Sequence, residues 1–149
     1  LIGLVPAVLI AIPLFGISLM DLGLPLLLLL FSLYLFGITL GLLVTAGLVR
    51  FGPSFENIAW ASLFFIAPLG CIYYPVEILP NWLQVVALAL PLAHIFEETR
   101  SILIANTVDY VNIYNALALN LVYLSIALLT FYRSFKTAKI KGSLINVGE

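Results

Sequence analysis

With 149 residues, 64% of them hydrophobic and only 9% charged, and a mean hydropathy of +1.22, the chain carries too little polar surface to solvate a soluble domain of this size. The class left is an integral helical membrane protein. A net charge of −1 with no large basic cluster leaves no electrostatic footprint for nucleic acid, and the single cysteine, Cys71, excludes an internal disulfide and a cysteine-rich metal site.

Residues 1–20 are uncharged and long enough to cross a bilayer, with Pro6 and Pro13 kinking the helix. The chain opens without methionine or a basic n-region, so this segment does not read as a signal peptide and is expected to continue from an upstream part. Asp21-Leu22-Gly23-Leu24-Pro25 reads as a tight turn. Residues 24–49 form the longest uncharged run, and Gly37, Gly41 and Thr45 recur in it every four residues. Such a stripe of small side chains is expected to admit a neighbouring helix of the bundle. Arg50-Phe51-Gly52-Pro53-Ser54-Phe55-Glu56 ends that span with a charge and a breaker pair. Ser54 is the expected N-cap of the next helix, and Glu56 suits its first turn. Residues 57–74 predict a third span, with Tyr73 and Tyr74 at headgroup level. Cys71, near its end, reads as a small buried apolar residue.

The next stretch organises the chain. Residues 68–100 hold Pro68, Pro75, Pro80 and Pro91, the only histidine, and the acids Glu77, Glu97 and Glu98. Interior prolines rule out one continuous helix, and the stretch is too apolar for a water-exposed loop. The expectation is two short helices that enter one face of the membrane and return, near 82–90 and 92–105, with Trp82 as interfacial anchor. Broken backbone at that depth must pack on protein or line a wet cavity. Asn106-Thr107-Val108-Asp109 is a polar turn, and residues 110–132 form the last span. At about 100° per residue, Asn112, Asn115, Asn120 and Tyr123 fall on one side of it, which should face protein or a water-filled path. A basic tail follows, with Arg133, Lys136, Lys139 and Lys141.

Counting crossings places Arg50 and the basic tail on one face, and Asp21, Glu77, Glu97, Glu98 and Asp109 on the other with only Arg100. By the positive-inside rule the tail is cytoplasmic. The expected fold is therefore all-α: a polytopic bundle of four transmembrane helices with a re-entrant helical pair before the last. No catalytic constellation accompanies it. His94 reads as a proton relay or as a hydrogen-bonded structural residue, and Glu97 with Arg100 as a cation gate or as an i,i+3 pair. The spans lack the ionisable residues that ion-coupled carriers place there.

Arg50-Phe51-Gly52 after a long span, Ala67-Pro68-Leu69-Gly70, Tyr74-Pro75-Val76-Glu77-Ile78-Leu79-Pro80, Leu90-Pro91-Leu92 and Glu98-Thr99-Arg100 follow one another in an order and spacing that resembles the C-terminal part of an ABC-2 type transporter permease. The resemblance covers about residues 40–132. It departs from the family where Gly52-Pro53 stands for a common Arg-Asp pair and Leu90-Pro91 for Asn-Pro. It implies one domain over 1–149, the last four of six spans, serving as the membrane subunit of an ATP-driven exporter in the cell membrane. On that reading the chain holds no cofactor: ATP and magnesium belong to a separate cytoplasmic ATP-binding subunit, and a second permease copy completes the path. Tyr74, Pro75, Glu77, Pro80, Trp82, Pro91, Glu98 and Arg100 would form the outer gate, and Arg50, Phe51, Gly52, Pro53 and Glu56 the turn that couples to the ATPase. Relatives export drugs, lipid-linked glycans and other amphiphiles. Phe64, Phe65, Tyr73, Tyr114 and Tyr123 are either path-lining or lipid-facing. The competing classes are an ATP-independent channel or secondary carrier, and a non-transporting membrane scaffold.

Overall fold

The computed structural model describes residues 23–105 and 107–141, and over these the chain is all-helical, with no strand. The expected first span at 1–20 lies outside the described residues. Helix α1 runs Gly23–Phe51, α2 Phe55–Leu69, α3 Asn81–Leu88, α4 Pro91–Arg100 and α5 Tyr110–Lys141. A single 3-10 turn, Val76–Ile78, precedes α3, and a π-turn, Ser101–Ala105, follows α4. Among the described helices, α1 and α5 are long and apolar enough to cross a membrane.

Helices α1 and α5 form the frame and run parallel. Leu29 of α1 shares a buried cluster with Ile113 and Ala116 of α5, and farther along Ser32 meets Asn120. Both contacts advance in the same direction along the two helices. Their N-terminal ends therefore lie together, and Arg50 lies toward the same end as Arg133, Lys136 and Lys139. The glutamates 97 and 98 and Asp109 gather at the opposite end, where Glu98 accepts from Asp109 N–H. That separation of charge is the one the loop count predicts.

Three expectations change. First, the run read as a span over 57–74 is helical only over Phe55–Leu69, 15 residues, or about 22 Å at 1.5 Å per residue. Pro68 weakens its last turn, and the chain folds back at Gly70 and Cys71. Ser54 makes no side-chain cap. The turn is closed by backbone bonds instead, Phe55 N–H to Gly52 O at 3.1 Å and Glu56 N–H to Pro53 O at 3.0 Å. Gly52 adopts φ 79°, a left-handed geometry that suits glycine at the end of a helix. Second, the basic segment from Arg133 is no separate tail: α5 continues unbroken for 32 residues, because Lys, Ala and Arg are good helix formers and no breaker precedes Gly142.

Third, the stripe of Gly37, Gly41 and Thr45 faces outward, and a Cβ on either glycine would meet nothing within 4 Å. The buried side of α1 is instead Pro25, Leu29, Ser32, Phe36 and Thr39, offset by a third of a turn or more. Close approach falls on two other glycines. A Cβ on Gly47 would run into the Phe55 ring, and one on Gly70 would sit 2.9 Å from Leu92 Cβ.

Candidate functional site: a buried polar joint beside a helical hairpin

Helices α3 and α4 form a hairpin that Pro80 and Pro91 delimit. Pro80 sits just before α3, where a proline's fixed φ suits the start of a helix, and Pro91 opens α4 at its first turn. Proline there loses nothing, because the first amides of a helix have no intrahelical acceptor. The hairpin tip, Ala89–Leu90, is fixed to α5 by Tyr123, whose hydroxyl donates to Ala89 O at 3.2 Å. Tyr123 lies 13 residues into α5, so the tip lies about 20 Å along that helix from its N-terminus. The hairpin then returns, and Glu98 reaches the start of α5. Ala87 and Ala93, on opposite arms, pack with Cys71 and Val76 in one buried cluster.

A clamp of charged and backbone groups closes the open end of the hairpin. Glu97 Oε1 accepts from Val76 N–H at 2.7 Å and from Arg100 Nη1 at 2.8 Å. Arg100 Nη2 donates to Cys71 O at 3.1 Å. The Glu97–Arg100 pair is the i,i+3 pair expected from sequence, half-shielded from solvent. What the sequence concealed is its third and fourth partners, which tie the chain leaving α2 to the end of α4. Cys71 is wholly buried with φ 54°, a left-handed backbone unusual for a residue with a side chain. The Arg100 bond to its carbonyl and the packing of its thiol hold it there. Tyr74 anchors the same turn through its hydroxyl, which donates to Pro68 O at 2.9 Å.

The most buried ionisable group lies one residue on. Glu98 has no solvent exposure. Its Oε1 accepts from Asp109 N–H at 2.7 Å and its Oε2 from Asn112 Nδ2 at 3.3 Å. The other end of the Asn112 amide faces His94 Nδ1 at 3.4 Å, and His94 Nε2 lies 2.9 Å from Leu88 O. His94, Asn112 and Glu98 thus join the end of α3, the body of α4 and the first turn of α5. His94 and Glu98 stand one helical turn apart, which puts them on one face.

The expected site residues divide. Of the outer set, Tyr74, Pro91, Glu98 and Arg100 take part in this joint and Pro75 starts the 3-10 turn, while Glu77, Pro80 and Trp82 are exposed. Of the polar side of α5, Asn112, Asn120 and Tyr123 meet protein and Asn115 does not. The packed side centres between Ile113 and Ala116, which turns Asn115 more than 100° away at about 100° per residue. Asn120 is wholly buried, donating to Ser32 O at 2.9 Å and Ser32 Oγ at 2.7 Å, and its Oδ1 has no hydrogen-bond partner. At the far end, Arg50, Phe51, Pro53 and Glu56 are exposed. Arg50 lies 5.5 Å above the Phe51 ring, which stacks on Phe55. Phe64, Phe65, Tyr73 and Tyr114 are exposed apolar surface on the outside of the helices, so of the aromatic set only Tyr123 is engaged. No family model, curated protein or solved structure matches this chain.

Proposed function

We propose that the chain is the membrane-embedded permease part of an ATP-driven exporter of the ABC-2 type, with four spans, a re-entrant helical pair and a cytoplasmic C-terminal end. The observation that best supports this reading is the α3–α4 hairpin. It descends about 20 Å beside α5, turns at Ala89–Leu90, and returns to the end from which it started. Two helices of 8 and 10 residues are each too short to cross a bilayer, so a hairpin of them closes one mouth of a bundle and leaves the other open. The exposed turn Arg50–Glu56 and the basic end of α5 lie at the opposite end, where a cytoplasmic ATP-binding subunit would dock. ATP binding there would shift the population between inward- and outward-facing packings of the helices, so the permease needs no catalytic residue of its own.

Affinity purification of the full-length protein from its native membranes is expected to bring down an ATP-binding subunit whose hydrolysis rises with transported substrate. Substrate movement by the protein reconstituted alone, driven by an ion gradient without ATP, would show instead a secondary carrier. Orientation is read separately. In a Cys71→Ala background, cysteines at Glu77 and Asn81 are expected to react with an impermeant thiol reagent on intact cells. Cysteines at Ser54 and Lys136 should react only after lysis. External labelling at Ser54 would reverse the assignment of the two faces.

A further inference from the structure

We propose that His94, Asn112 and Glu98 form a binding site for a single proton, and that this proton fastens the α3–α4 hairpin to α5. Hydrogen-bond counting fixes the number. Leu88 O has only lone pairs to offer, so His94 Nε2 carries a hydrogen. The Asn112 amide turns one end to His94 Nδ1 and the other to Glu98 Oε2, and an amide has an acceptor oxygen at one end and a donor NH2 at the other. With the oxygen toward the ring, Nδ1 must also be protonated, giving an imidazolium beside an ionised Glu98. With the NH2 toward the ring, Nδ1 is bare and the carboxyl Oε2 must carry the hydrogen. Either orientation holds one proton more than a neutral imidazole and a carboxylate, and either leaves the triad electrically neutral.

Removing that proton sets two lone-pair atoms face to face at one of the two contacts and leaves a net negative charge at a carboxyl with no solvent exposure. Burial without compensation is costly for such a group, so the empty site favours separation of α4 from α5. The neighbouring ionisable groups have other engagements. Glu97 is held by Arg100 and Val76 N–H, and the Asp109 carboxylate accepts from Val111 N–H, so that Asp109 offers Glu98 only its amide. From α3 the ring meets the Leu88 carbonyl, and from α5 the Asn112 amide. The site is therefore a proton-operated latch, and it stands apart from the assignment of an ATP-driven exporter.

Cys71 is a native reporter of the latch, because it is the chain's single cysteine and is wholly buried in the cluster that includes Ala93 of α4. The experiment is the rate of Cys71 labelling by a small thiol reagent in the full-length protein, any other cysteine replaced, between pH 6 and 8. Glu98→Gln supplies the comparison. Its amide can donate to Asn112 and accept from Asp109 N–H, with His94 neutral, so it completes the chain of bonds without the extra proton. Thiolate formation is common to both proteins and cancels in their ratio. The wild-type rate divided by the Glu98→Gln rate is expected to rise about tenfold per pH unit, the linkage of one proton, until the site empties. A ratio constant from pH 6 to 8 overturns the proposal. If Glu98→Gln labels as fast as denatured protein, the wild type decides alone: its rate relative to denatured wild type should rise severalfold from pH 7 to 8, and a flat ratio overturns the proposal.

Discussion

Truncation of Glu98 to alanine is expected to destabilise the helical bundle by about 3 kcal/mol, the larger part from donors left unpaired and the rest from the cavity. The carboxylate holds the Asp109 N–H at 2.7 Å and the Asn112 amide at 3.3 Å, and the side chain is wholly buried. Alanine removes both acceptors, and His94 loses the partner that orders Asn112. Thermal or denaturant unfolding in detergent measures the loss. Unfolding within about 0.5 kcal/mol of wild type would show that Glu98 is dispensable to the joint, since that is the scatter of ordinary surface substitutions.

Gly70→Leu is expected to cost about 2–3 kcal/mol, the upper range for overpacking a filled contact. A Cβ at Gly70 would lie 2.9 Å from both Cβ and Cδ1 of Leu92 and 3.1 Å from Ile66 O. The Leu92 Cβ is rooted on α4 and cannot swing aside as a side-chain tip can, so α2 and α4 must part. Gly47→Leu should be milder, because the obstacle there is the Phe55 ring, which can rotate away. Combining Gly70→Leu with Leu92→Ala should recover part of the loss, since the two residues touch and their effects are coupled. If the double variant is as unstable as the sum of the singles, the contact is not the cause.

The proline-bounded hairpin was legible in the sequence because proline acts locally: Pro80 and Pro91 set helix starts wherever the chain goes next. The long helices were legible for a similar reason, as uninterrupted apolar runs. The end of α2 was not. Residues 70–74 are as apolar as the helix before them, and what turns the chain is Arg100, far along the sequence, bonding Cys71 O. Periodicity placed Gly37, Gly41 and Thr45 on one face but carries no information about which face is packed. The continuation of α5 through Arg133–Lys141 had a visible signal in the absence of any breaker. His94 and Glu98 could be paired by their spacing of four, whereas Asn112 joins them only through the fold.

An unbroken α5 also has a mechanical meaning. At 32 residues it is about 48 Å long, and a rigid rod converts small rotations into large end displacements. Pivoted near its basic end, a tilt of about 1° moves the Asn112 end by roughly 0.7 Å, enough to carry contacts of 3.3 and 3.4 Å beyond hydrogen-bonding reach. A push of that size against Lys136 or Lys139 would be felt at Glu98 as a lost bond, with no change in the helix between them.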